Sequence, residues 1–221
     1  MNMSHRRLAL AAVASAVALL GTGCAPMLIG GAAAGTVMAV SDRRSTGIQV
    51  EDQAIELRLR MALNEKLPSA VANIGITSYN QRVLLTGEVT TEQARAEAQS
   101  IAEKSQNVLG VRNELHVGSL STLANRNFDT SLTAKVVVAL IDAKGVPSGT
   151  IKVVSSRSVV YLMGRVTQGE GDAAAQAASR VAGVRQVVKY FDYLSEQEAA
   201  ALAPKPAAEP APKPPAEATP K

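Results

Sequence analysis

The chain has 221 residues, 47% hydrophobic and 19% charged, with a net charge of +4. That is enough for one or two ordinary domains with packed cores, and it excludes disorder throughout. Aromatic residues make up only 3%, without Trp, so the stacking platforms of single-strand nucleic-acid binders lack material. One Cys and two His cannot build a thiolate or imidazole metal cage or an internal disulfide, so no cofactor is expected.

Arg6 and Arg7 precede an apolar run over residues 8–20, which is too short for a comfortable permanent span and has the order of a secretory signal. Gly21-Thr22-Gly23 then leads directly to Cys24, the sole cysteine. This resembles the lipobox of bacterial lipoproteins, with one departure. Gly21 stands where Leu is usual and Leu20 lies one step further back, which implies less efficient cleavage. The resemblance makes 1–23 a signal peptide and Cys24 the lipidated first residue. With Ala25 rather than Asp following, it implies export to the outer membrane, facing the periplasm. Lipidation also removes an unpaired thiol that an oxidising compartment would threaten. At about 0.8 kcal/mol per buried methylene, two or more acyl chains anchor a protein stably.

Residues 24–50 are Gly- and Ala-rich and then polar, and read as a tether. Beyond them the chain repeats. Residues 55–90 align without a gap on 132–167 at an offset of 77: Leu59, Ala62 and Leu63 match Val136, Ala139 and Leu140, and Leu85-Thr86-Gly87 matches Leu162-Met163-Gly164. Leu109-Gly110-Val111-Arg112 then matches Ala182-Gly183-Val184-Arg185 at an offset of 73, which implies that four residues, about one helical turn, are missing from the second copy's later helix. Two copies of one small domain follow, over 51–118 and 128–195, joined by a linker over 119–127.

Each copy opens on an apolar pattern of i, i+4, i+7, i+8 (Ile55, Leu59, Ala62, Leu63; Leu132, Val136, Ala139, Leu140), the mark of a one-faced helix. Asp52 and Asp129 are expected as N-caps. Paired runs at 73–78 with 83–89, and 150–155 with 159–166, predict hairpins. Alanine-rich helices over 92–107 and 170–181 lead through Gly-Val turns to final strands over 111–117 and 184–193. The order αββαβ predicts an α+β fold in which a three-stranded mixed sheet packs one face on both helices and leaves the other open or facing a neighbour. Gly87 and Gly164 stand near strand ends. Close backbone packing or a positive-φ turn explains them better than a phosphate-binding loop, which takes several glycines.

The Gly-containing ends of the second strands, the alanine-rich helices and the Gly-Val turns resemble the BON domain. Doubled behind a lipobox, with Asp42-Arg43-Arg44-Ser45-Thr46-Gly47 upstream, the chain is similar to the dual-BON outer-membrane lipoproteins over residues 24–195. The resemblance implies a protein that is not an enzyme and preserves envelope integrity. It implies binding of anionic phospholipids (phosphatidylglycerol, cardiolipin) through the second domain, concentration at division sites, and a link to outer-membrane protein assembly machinery. In that family the opening helix of the second domain carries the lipid contacts, and a Trp near its start corresponds to Ser131 here, a departure that weakens insertion.

Charge points the same way. Residues 51–118 hold seven Lys/Arg and nine Asp/Glu, whereas 126–194 hold nine and five, so only the second copy is cationic and suited to an anionic surface. Its opening helix also has Val137 and Ile141 where the first has Arg60 and Asn64. The expected phospholipid-binding residues are Ser131, Lys135, Val137, Val138 and Ile141, the alternative being that Val137 and Ile141 pack against the first copy or the linker. His116 is the only imidazole left after signal removal, and no base stands beside a nucleophile in the sequence. Asp142, Glu170 and Asp172 flank turns or helix starts, where capping explains them. Seven of the ten prolines fall in 204–220, which makes 196–221 a disordered tail, about 56 Å long over its last eighteen residues if fully polyproline II. A periplasmic protein-interaction adaptor without lipid recognition is the alternative function.

Overall fold

Ser45 and Thr122 begin the two halves of the protein in the same way. Ser45 Oγ accepts from the amide of Ile48, and Thr122 Oγ1 from that of Asn125, each at 3.3 Å. The computed structural model describes residues 42–203. The signal segment, Cys24 and the proline-rich residues from 204 lie outside the described residues. The capped helices are α1 (Thr46–Lys66) and α3 (Leu123–Asp142). Both start upstream of their expected first turns, so 46–50 of the tether and 123–127 of the linker are helical.

Asp52 and Asp129 are not caps. They sit mid-helix, buried on the core stripe with Ile55, Leu59, Leu63 and with Leu132, Val136, Leu140. Each carboxylate reaches across to a hairpin turn. Asp129 accepts from the amides of Arg157 and Ser158 at 2.8 and 2.9 Å. Asp52 accepts from those of Asn80 and Gln81, both at 2.8 Å, and from Ser78 Oγ at 2.7 Å. All four turn residues have positive φ, between 51° and 63°, a type I′ geometry whose amides point toward the helix.

In the first half, β1 (Ala72–Tyr79) pairs antiparallel with β2 (Arg82–Val89), and β2 pairs in parallel with β3 (Gly110–Asn113) and β4 (His116–Val117). The last strand is thus interrupted at Glu114 and Leu115. The second half repeats this with β5 (Ile151–Ser156), β6 (Val159–Val166) and an unbroken β7 (Gln186–Tyr193). Between them lie α2 (Glu92–Glu103) and α4 (Gln168–Ser179). Ala98 and Ala102, Ala174 and Ala178 are buried on these helices, small side chains that let each lie close on its sheet. The architecture is α+β, two αββαβ units.

The four-residue gap is overturned. Both later helices have 12 residues, and their N-caps Thr91 and Thr167, like Ala98 and Ala174, are 76 apart. One residue is lost, at the turn before the helix. The left-handed position before the final strand is therefore filled by Gly183 (φ 99°) in the second copy and by Asn107 (φ 63°), not Gly110, in the first, since a short amide side chain tolerates that conformation. Gly87 lies within β2, and a Cβ there would fall 2.0 Å from the Asn73 carbonyl oxygen across the pair. Close backbone approach explains it.

The outer sheet faces pack on each other. Residues 83–89 of β2 are all buried. Val83, Leu85 and Val89 point to the helices, while Tyr79 and Leu84 meet Val159, Tyr161, Met163 and Val188 of the other domain. Tyr79 Oη donates to the Thr150 carbonyl at 2.8 Å, and burial pushes its phenol up to about 12. The segment before α1 straps this pair together. Arg43 forms a two-pronged ion pair with Glu170 at 2.6 and 2.8 Å and donates to the Arg165 carbonyl. Arg44 pairs with Asp52 at 2.7 Å while its guanidinium lies over the Tyr79 ring. Finally, 196–201 of the expected tail forms a short helix, α5 (Glu196–Ala201), with a Ser195/Glu198 capping box and Ala199 buried.

Candidate functional site

The core stripe of α3 consumes one side of the helix and leaves the rest to water. Ser131, Lys135, Val137, Val138 and Ile141 are all exposed. Val138 and Ile141 reach 57% and 58% exposure, whereas Val137, at 39%, is the most covered of the three. At 100° per residue, Ser131, Lys135, Val138 and Ile141 fall on one broad outward face and Val137 on its margin. Two further apolar side chains join this surface, Leu123 (65% exposed) and Phe128 (47%). They precede Leu132, where the apolar core pattern of the sequence begins, and so fall outside the helix expected from it. Carrying the 3.6-residue period back to the Thr122 cap would have found them.

The first domain is not bare of apolar surface. Val50, Leu57 and Met61 form an exposed stripe on α1, and Met61 matches Val138 at the 77-residue offset. What separates the two helices is the pair Val137 and Ile141 against Arg60 and Asn64, Phe128 against Glu51, and the sign of the surrounding charge.

Glu88 is 1% exposed, on the outer face of β2. It accepts from Asn73 Nδ2 at 3.0 Å and from the Ser121 amide at 3.3 Å, takes the Ser121 hydroxyl as well, and lies 3.9 Å from Arg157. Burial alone would raise its pKa, but the Ser121 and Asn73 hydrogen bonds and the Arg157 charge outweigh it and hold the carboxyl below its ordinary value. With its oxygens so occupied, Glu88 ties the interdomain segment to the sheet. It borders a cleft of about 430 Å³ between the domains, which Ile74, Arg126 and Val153 also line. Glu170 caps α4 through the Thr167 amide at 2.8 Å, as its place at a helix start suggested. His116 is exposed on β4. Among the described residues no cluster of three or more His, Cys, Asp or Glu is placed to hold a metal ion, and no described helix is long and apolar enough to cross a membrane.

The sequence pattern of the BON domain matches residues 51–119 and 128–195. The chain is 35% identical over 173 residues to the outer membrane lipoprotein DolP of Haemophilus influenzae, covering 78% of this chain and 89% of that protein. It is 30% identical over 154 residues to the 21 kDa hemolysin of Actinobacillus pleuropneumoniae, covering 69% and 79%. It is 29% identical over 153 residues to the osmotically-inducible protein Y of Escherichia coli, covering 66% and 75%.

Proposed function

Because the chain belongs to the BON-domain family, as a tandem protein like DolP, we propose that it is an outer-membrane lipoprotein that supports envelope integrity by docking its second domain on anionic phospholipid. Cys24 carries the acyl anchor, and the folded unit faces the periplasm. The observation that carries this reading is the exposed apolar face of α3, with Leu123, Phe128, Val138 and Ile141, on the domain that holds the cationic surplus. Such side chains gain free energy on entering the headgroup boundary, and each nearby cation adds about 1 kcal/mol against an anionic surface. Phosphatidylglycerol and cardiolipin are the matching lipids. Enrichment at division sites belongs to the same reading, as the resemblance to the dual-BON lipoproteins implies.

Residues 25–221 without acyl chains, floated with vesicles, test it. Binding to phosphatidylglycerol vesicles over phosphatidylcholine vesicles is expected, weakening with salt because charges are screened beyond about 10 Å at 0.1 M. Val138→Glu/Ile141→Glu abolishes it. Equal flotation of wild type and variant removes α3 as the docking face.

The stripe Val50, Leu57 and Met61 on α1 favours a second role, as an adaptor for the outer-membrane protein assembly machinery. Lipid-independent crosslinking from position 57 to an envelope protein is the expected sign, and its loss in Leu57→Glu the control.

A further inference from the structure

Beside the lipid-facing helix lies a recess of about 240 Å³ lined by Ser121, Asn125, Phe128, Asp129, Arg157 and Arg185. Three separate chain segments are locked around it. The Asp129 carboxylate holds the amides of Arg157 and Ser158, and the Ser158 carbonyl accepts from the Arg185 amide at 2.9 Å. The end of the Phe128 ring lies against Gly183, where a Cβ would meet Cζ at 3.1 Å. Two arginines and one exposed aromatic ring are thus set on backbone that is already fixed, so a ligand would have only the arginine side chains to order. Arg185 has no acidic partner among the described residues, and Arg157 has only the distant Glu88, at 3.9 Å. Asp129 is the one carboxylate in the recess, and both its oxygens are engaged by amides.

The first domain supplies an internal control, since it builds the same frame with different chemistry. Its turn has Asn80 and Gln81 in place of Arg157 and Ser158, with φ of 51° and 62° against 54° and 63°. Leu109 stands in place of Arg185, its amide donating to the Gln81 carbonyl at the same 2.9 Å. Glu51 replaces Phe128 and accepts from Asn107, the counterpart of Gly183, at 3.0 Å. Arg44, in the place of Ser121, is consumed by Asp52. The scaffold therefore does not require cations or a ring here. They occur in the second copy alone.

We infer that this recess seats the phosphate of an anionic phospholipid headgroup, bound between the Arg157 and Arg185 guanidinium groups while Phe128 enters the acyl boundary. Guanidinium groups suit phosphate oxygens because their paired N–H donors match them in geometry as well as charge. The exposed Phe128 ring beside the cations favours a lipid over a free phosphate. The inference rests on the docking role proposed for α3 and adds to it the atoms that read the headgroup.

The test uses residues 25–221 and vesicles of phosphatidylglycerol in phosphatidylcholine. Arg157→Asn/Arg185→Gln keeps a residue that tolerates positive φ at position 157, as Asn80 does in the first copy. It should bind these vesicles about thirty-fold more weakly, roughly fivefold for each cation lost near an anionic surface. Arg157→Lys/Arg185→Lys keeps the charge but not the paired donors and should bind with an affinity between those of the wild type and the Asn/Gln variant, and both variants should melt with the wild type. Wild-type affinity in the Asn/Gln variant, alongside loss in Val138→Glu/Ile141→Glu, overturns the seat and leaves the docking role standing. Perturbation of the Arg157 and Arg185 resonances by inorganic phosphate, with vesicle binding intact in the Asn/Gln variant, overturns it in favour of a soluble-anion site. Failure of the wild type to bind vesicles sinks both.

Discussion

Arg43 and Glu170 stand 127 residues apart in sequence and meet through two parallel hydrogen bonds of 2.6 and 2.8 Å. The segment that leaves the proposed membrane anchor therefore grips the second domain before it enters the first. The same arginine donates to the Arg165 carbonyl, and Arg165 donates back to the carbonyl of Arg43 at 3.1 Å, so the strap is held by backbone as well as charge.

Removing this strap should loosen the domain pair. Its side chains are only 9% and 21% exposed, so Arg43→Ala leaves a half-buried carboxylate without its cation, at a cost of about 2–3 kcal/mol. Denaturant unfolding reads the cost, and a double-mutant cycle with Glu170→Gln should recover most of it as coupling. Simple addition of the two single effects would show that the pair contributes nothing.

Stability should fall in acid through the interdomain carboxyls. Glu170 is held below its ordinary pKa by the Arg43 hydrogen bonds, and Glu88 by Ser121 and Asn73 against the opposing effect of burial. A carboxyl depressed in the folded state contributes fully above its unfolded pKa and loses that contribution as pH falls through the folded one. Unfolding free energy should be level from pH 7 to about 5 and decline below about 4.3, the unperturbed Glu value. Glu88→Gln/Glu170→Gln should show a shallower decline over pH 2–4 than the wild type.

The two helix aspartates should differ in cost. Asp52→Ala strands two turn amides, the Ser78 hydroxyl and Arg44, and is expected to destabilise by about 4 kcal/mol. Asp129→Ala strands two amides at about 2 kcal/mol. In the second variant amide exchange should accelerate at Arg157 and Ser158 first. Unchanged protection there would mean the turn stands without the carboxylate.

Gly87→Ala should be among the worst small substitutions in the first domain. The added Cβ would fall 2.0 Å from the Asn73 carbonyl oxygen, at φ 104°, so strands β1 and β2 must separate locally, at about 3 kcal/mol or more. Thermal melting measures it. A shift no larger than that of Gly169→Ala, where a Cβ meets nothing within 4 Å, would contradict the close approach.

The repeat, the helix stripes, the hairpins and the charge contrast between the copies were all legible from the sequence, because each is a local pattern or a sum over residues. Ile55, Leu59 and Leu63 declare a buried helix face whatever lies opposite. Three things needed the folded molecule. Asp52 and Asp129 read as caps because capping and turn-pinning use the same carboxylate-to-amide bond, and only proximity in space says which amides are near. The Gly-Val match hid the true register, since left-handed backbone, not glycine itself, is what that turn demands, and Asn107 supplies it. The burial of both faces of β2 depends on which residues the second domain brings within reach, and the cationic recess beside Phe128 on how one copy gathers residues 121–129, 157 and 185; no periodicity along the chain encodes either contact.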